Sequence, residues 1–161
     1  VIDRALYNGK EPFEHAIIKA LSEKQAGLVV CAGFMRLLSP LFINAFPMRV
    51  MNIHPSLLPA FPGLNTHKNV LAYGARFSGC TVHFVDEGLD TGPIIMQAAV
   101  PVMEGDTPES LAQRIHIEEH RIYPQAIRLF ADGKLKVIGR RVIVKDHPFA
   151  EGALENPLVT I

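Results

Sequence analysis

At 161 residues the chain suits one domain with enough length to bury a sizeable core. Its composition, 48% hydrophobic and 20% charged, is that of an ordinary globular protein and excludes a disordered one. Sixteen Lys and Arg balance sixteen Asp and Glu, so the net charge is zero, which argues against a nucleic-acid-coating protein while leaving room for one small basic pocket. The two cysteines, Cys31 and Cys80, each sit in an apolar run, the pattern of buried thiols in a reducing, cytoplasmic setting rather than of a disulfide framework. The longest apolar stretch, Leu28 to Met35, is too short to cross a membrane, and no signal-peptide pattern opens the chain.

In chain order, Val1-Ile2-Asp3 reads like the tail of a strand with nothing ahead of it to pair with. Glu11 to Lys24 carries Phe13, Ala16, Ile17, Ala20 and Leu21 at helical spacing, with Pro12 in the first turn. Leu28 to Ala32 is a short branched run of the kind found in strands covered on both faces. Ser39 caps a second helix with Pro40 in its first turn, stopped by Pro47. Arg49 to Ile53 is the next strand, followed by a loop stiffened by Pro55, Pro59 and Pro62 and a short helix from Thr66 to Tyr73 ended by Gly74. Cys80 to Val85 and Ile94 to Val102 are strands joined by the polar segment Asp86 to Pro93. Thr107 and Pro108 open a long helix with a stripe of Leu111, Ile115, Ile122 and Ala126, expected to bend or break around Pro124 and to end at Gly133. Lys134 to Val137 and Arg141 to Val144 form a hairpin across Gly139, and the tail after His147 has no clear period. The pattern predicts a single α/β domain over 1–161, an open, mostly parallel sheet with a mixed edge, whose ligands sit beyond the carboxyl ends of its strands.

Asn52 and His54 fall at such a strand end, two residues apart, so an extended backbone points both side chains the same way. Asn offers an amide donor and His a titratable one, and Asp90 in the Asp86 to Pro93 loop can hold the imidazole charged. An amide and an imidazolium aimed at one point stabilise a developing oxyanion. The alternative is a strand-end turn in which Asn52 satisfies its own backbone and His54 caps a loop. No Ser, Cys or Lys occupies a nucleophile's position, so the attacking group comes from a substrate.

The stretch from Val29 to Gly133 resembles the folate-dependent formyltransferases. The likeness rests on Ala32-Gly33-Phe34-Met35-Arg36-Leu37-Leu38-Ser39-Pro40, Asn52 to Pro59, Pro62-Gly63-Leu64-Asn65-Thr66-His67, Thr81-Val82-His83-Phe84-Val85 and Leu89-Asp90-Thr91-Gly92-Pro93-Ile94-Ile95. It implies a Rossmann-like fold and transfer of the formyl group of 10-formyltetrahydrofolate, a co-substrate, to an amine, with no metal. It implies that Asn52 and His54 contact the formyl oxygen and that Asp90 keeps His54 protonated and helps move the proton. Met35, Arg36, Leu37 and Leu38, together with Asn52 and Val85, Asp86, Glu87, Gly88, Leu89 and Asp90, are implied to line the folate pocket, and Lys10 falls where family members carry an arginine near the folate. Pro62 to His67 points to the branch whose acceptor is phosphoribosylglycinamide, in purine synthesis, with Pro55, Gly63 and Glu119 touching that substrate. Formyltetrahydrofolate hydrolases differ by a second histidine where Pro55 stands, and methionyl-tRNA formyltransferases by an arginine before the glycine where this chain has Pro62-Gly63. A non-catalytic folate-binding remnant is the reading from another class, because the N-terminal nucleotide-binding half that the resemblance implies, with its Gly-Ser-rich phosphate loop, is missing from these residues. Small molecules are the expected partners, with no nucleic acid or membrane, in a monomer or homodimer.

Four further polar residues call for a reading. Glu119 interrupts the apolar stripe of the long helix and is either ion-paired with an Arg or Lys or, as the resemblance implies, in contact with ribose hydroxyls. His116 and His120 are four apart, a spacing that can bind metal, but neither the Glu after the first His nor a third ligand accompanies them. His83 reads as a hydrogen-bonded structural histidine bordering the site.

Overall fold

The computed structural model describes residues 1–34, 36–146, 148, 151, 152, 154 and 156. Met35 and the other tail positions lie outside the described residues, so its expected place in a folate pocket is not addressed below. The helices are α1 (Lys10–Glu23), α2 (Pro40–Ala45), α3 (Thr66–Tyr73) and α4 (Pro108–Ala131), and the strands β1 (Val29–Cys31), β2 (Val50–His54), β3 (Phe77–Phe84), β4 (Ile94–Pro101), β5 (Leu135–Ile138) and β6 (Arg141–Val144). Val1 to Asp3 is not a strand: Asp3 caps a single 3₁₀ turn at Arg4–Leu6 by accepting from the Ala5 N–H.

The six strands form one open sheet in the order β1-β2-β3-β4-β6-β5. Its pairing is less parallel than the sequence predicts. Only β1–β2 and β4–β6 run parallel, while β2–β3, β3–β4 and β5–β6 are antiparallel. Strand–helix–strand alternation gives a parallel crossover through α2, as expected. It fails through α3, which is followed by a strand returning antiparallel, and β3 reaches β4 through a loop with no helix at all. β1 lies at the sheet's edge with Val30 44% exposed, so it is not covered on both faces within these residues.

Alternation along β2 divides the core in two. Val50 faces one side and packs with Phe42, Ile43 and Phe46 of the α2 segment and with Ile17, Ile18 and Leu21 of α1. Met51 faces the other and joins Val82, Val100, Leu111, Ile115, Ile122 and Ala126 under α4. The α1 face thus centres on Ile17, Ile18 and Leu21, with buried Glu14 taking the Ser39 N–H and hydroxyl and fastening α1 to the cap of α2. Helix α4 starts with a capping box, Thr107 and Ser110 exchanging bonds, and continues through Pro124 without a break. Pro124 and His120, whose carbonyl loses its partner, are both on the exposed side, where that carbonyl is not sealed in the core, while the neighbouring Tyr123 hydroxyl reaches the Cys31 and Met51 carbonyls at 2.7 and 2.9 Å and ties the helix to β1 and β2. Among the described residues no helix is long and apolar enough to cross a membrane.

Candidate active site

The site is assembled where β2 ends. β2 and β3 are antiparallel with Asn52 opposite His83 and His54 opposite Thr81, so Asn52, His54 and His83 stand on one face of the sheet. The loop that follows His54 is held to the sheet by side chains whose role the sequence did not disclose. The Thr81 hydroxyl donates to the Ser56 carbonyl at 2.6 Å and accepts from the Leu58 N–H at 3.1 Å, while the Gln97 amide reaches the Leu58 carbonyl at 3.0 Å. Gly79 leaves room for Leu57, which any Cβ there would strike along with the Ala98 carbonyl.

Asp90 arrives from the opposite loop. That loop is closed by Asp86, whose carboxylate accepts from the Thr91 hydroxyl at 2.6 Å and the Gly88 N–H at 3.1 Å, and by Gly92, where a Cβ would collide with the Phe84 carbonyl. Asp90 itself has φ 54°, a left-handed conformation that Asp tolerates better than most residues. Its Oδ2 lies 3.3 Å from His54 Nδ1 and accepts the Gly63 N–H at 2.9 Å, and its Oδ1 is 3.8 Å from His83 Nε2. The carboxylate is therefore shared by three groups and is largely buried, with His54 almost fully so.

The second nitrogen of His54, Nε2, lies 2.9 Å from the Phe61 carbonyl. Both neighbours of the ring are acceptors, so a ring donating from both nitrogens satisfies both. His83 differs: burial pushes its pKa below the usual imidazole value, against the upward pull of the Phe84 carbonyl and Asp90. Asn52 Nδ2 is 3.4 Å from His83 Nε2. Asn52, His54 and Asp90 are thus brought together as the sequence predicts, with His83 added.

A cleft of about 350 Å³ opens beside Pro55, walled by His67, Gln113, Ile115, His116 and Glu119. Glu119 is neither paired with Arg or Lys nor isolated: its carboxylate accepts from His116 Nδ1 at 3.0 Å, one turn away. Burial lowers the pKa of His67, with Glu119 pulling it up and His54 pushing it down. The rings of His116 and His120 are stacked 4.1 Å apart edge to face, and among the described residues no group of three or more His, Cys, Asp or Glu could hold a metal ion.

The expected folate-side residues divide. Arg36 and Leu37 are exposed, Leu37 by 54%, as are Glu87, Gly88 and Leu89, whereas the Leu38 side chain is buried against α2 and has only backbone to offer a ligand. Val85 also packs into the core and donates its N–H to the Val50 carbonyl. Lys10 lies 3.8 Å from Glu14 on α1, and among the described contacts nothing joins it to Asn52, His54 or Asp90.

A family model described as "Formyl transferase" matches residues 1–127, which contain every one of these site residues. The chain belongs to the formyl transferase family. Its sequence is 45% identical over 131 residues to the phosphoribosylglycinamide formyltransferase of Escherichia coli strain K12, covering 81% of this chain and 62% of that protein. It is 48% identical over 137 residues to the trifunctional purine biosynthetic protein adenosine-3 of Gallus gallus, covering 85% of this chain and 14% of the relative. The crystal structure of glycinamide ribonucleotide transformylase 1 from Symbiobacterium toebii superposes with a TM-score of 0.87 at 55% identity, over 89% of this chain and 68% of that one. This formyl transferase chain therefore spans about three fifths of the length of the bacterial relative and a small part of the trifunctional one.

Proposed function

We propose that the chain transfers the formyl group of 10-formyltetrahydrofolate to the amine of phosphoribosylglycinamide. The observation that carries the reading is the Asp90 carboxylate 3.3 Å from His54 Nδ1, with the Asn52 amide on the same face of β2. The amine lone pair of the acceptor attacks the formyl carbon, a C–N bond forms, and the carbonyl electrons move onto oxygen. The oxyanion takes an N–H from Asn52 and the Nε2–H of His54, displacing the Phe61 carbonyl from that nitrogen. Each such donor supplies roughly 2.7–4 kcal/mol in related acyl transfers. Collapse of the intermediate breaks the bond to the folate nitrogen, and the proton released by the amine passes to that nitrogen through Asp90, directly or by water. The exposed Leu37 and the Glu87 to Leu89 turn, on opposite sides of Asn52, offer an apolar and polar rim for the folate. The Pro55–Glu119 cleft receives the acceptor, whose ribose hydroxyls suit the Glu119 carboxylate. Relatives named for this reaction at 45–55% identity support the acceptor.

Pro55 stands where the resemblance implies a second histidine in hydrolases, which supports an amine acceptor over water. Incubating the chain with 10-formyltetrahydrofolate, with and without phosphoribosylglycinamide, tests it. Formylated glycinamide ribonucleotide appearing only with both is expected. Formate released at the same rate without the acceptor would make the chain a hydrolase.

A further inference from the structure

An amide N–H stabilises an oxyanion and an amide C=O repels it, so the orientation of the Asn52 side chain decides whether it helps the reaction. The two ends of an Asn amide are nearly equal in size, and only hydrogen-bond partners tell them apart. His83, opposite Asn52 on β3, supplies such a partner. It is 1% exposed, and its Nδ1 lies 2.9 Å from the Phe84 carbonyl. A carbonyl only accepts, so Nδ1 carries a hydrogen. In a neutral ring Nε2 is then a bare lone pair, and 3.4 Å from it lies Asn52 Nδ2. A lone pair there attracts the amide N–H and repels the amide oxygen. The register between β3 and β4 shifts at this point: Val82 pairs with Met96 and His83 with Ile94, and Ile95 of β4 has no partner in the register.

We propose that His83 is a positioning residue: through its unprotonated Nε2 it holds the Asn52 amide by one N–H and leaves the second N–H for the formyl oxygen. The consequence for catalysis rests on the formyl-transfer reading above; the geometry does not. The charged or titratable groups acting on His83 are Asp90 and Asp86, which favour a second proton, and His54, which opposes it, while burial opposes it most strongly. The folded-state pKa is lowered, so the ring is neutral at and above the ordinary imidazole range. It gains the second proton only in more acid solution, where Nε2–H turns to Asp90 and the amide loses its anchor.

Two measurements on the full chain test this. In long-range proton–nitrogen spectra of the labelled protein, His83 is expected as the neutral Nδ1–H form from about pH 6.5 upward. The Nε2 resonance should shift when Asn52→Ala removes its donor. A ring protonated at Nε2 in that range, or a resonance indifferent to Asn52→Ala, overturns the proposal whether or not the chain transfers formyl groups. The second compares His83→Leu, which has no acceptor, with His83→Gln, whose carbonyl can accept, both checked for folding by thermal melting. His83→Leu should lower kcat roughly tenfold or more with KM for the formyl donor nearly unchanged, and His83→Gln should restore much of it. In an Asn52→Ala background His83→Leu should cost nothing further, and a full additional loss there would show that His83 acts elsewhere.

Discussion

Replacing Asp90 by Asn keeps the side chain's size and leaves an oxygen to accept the Gly63 N–H, but removes the negative charge beside His54. If that charge acts on the transition state, kcat should fall roughly 10²-fold or more, with KM for either substrate changed only a few-fold. Steady-state kinetics checks this, and a kcat within a few-fold of the parent would remove Asp90 from the mechanism. A second prediction at this scale concerns metal. His116 is engaged with Glu119, and its stacked neighbour His120 adds a second nitrogen without a third ligand among the described residues. Formyl transfer should therefore survive exhaustive chelation; activity abolished by EDTA and restored by zinc would contradict it.

At the scale of elements, α4 carries much of the structure's order because it packs on β3 and β4 and reaches β1 and β2 through Tyr123. Its first turn depends on the Thr107 hydroxyl, which takes the Ser110 N–H. Thr107→Ala should cost roughly 0.5–2 kcal/mol of stability, read as a lower denaturation midpoint at unchanged slope. This cap was legible in sequence, as were α3 to the residue and, to within one residue at each end, the strand β2 that bears Asn52 and His54, because Ser, Thr, Pro and Gly mark ends through local chemistry. What was not legible depends on tertiary partners. Nothing local to Glu14 marks it as buried, and it is buried because Ser39, 25 residues on, supplies two donors. Pro124 looked like a helix break and is not one, because its side of the helix faces water and Tyr123 holds the other side down. The direction of β3 could not be read from the alternation that placed α3, since a helix between strands permits either return. In the site, the two-residue spacing of Asn52 and His54 announced itself. The contribution of His83, and of Thr81 and Gln97 to the Ser56–Leu58 loop, exists only through cross-strand register.

Considered as a whole molecule, the proposed function assigns its two substrates different shares of the chain. The proposed folate rim would draw on Arg36 and Leu37 after β1, Asn52 on β2 and the Asp86–Asp90 loop after β3, the last of which brings Asp90 to His54. The proposed acceptor side, by contrast, is represented by Pro55, Gly63 and one wall of α4, with Glu119 the sole carboxylate among the described lining residues and the His67 pKa lowered by burial. That lining is mainly apolar and offers no Lys or Arg to a phosphate, although a phosphate is best held by basic side chains or by backbone N–H groups at a helix start. The chain should therefore bind a folate analogue with measurable affinity while binding phosphoribosylglycinamide much more weakly. Isothermal titration with each ligand separates the two halves of the site. Folate-analogue binding that disappears in a variant with the Asp86 staple broken, such as Asp86→Ala, would tie that affinity to the loop carrying Asp90. Tight nucleotide binding without folate binding would mean that the Pro55–Glu119 cleft, rather than the Asp90 loop, is the principal ligand site of these residues, and would overturn the assignment of both.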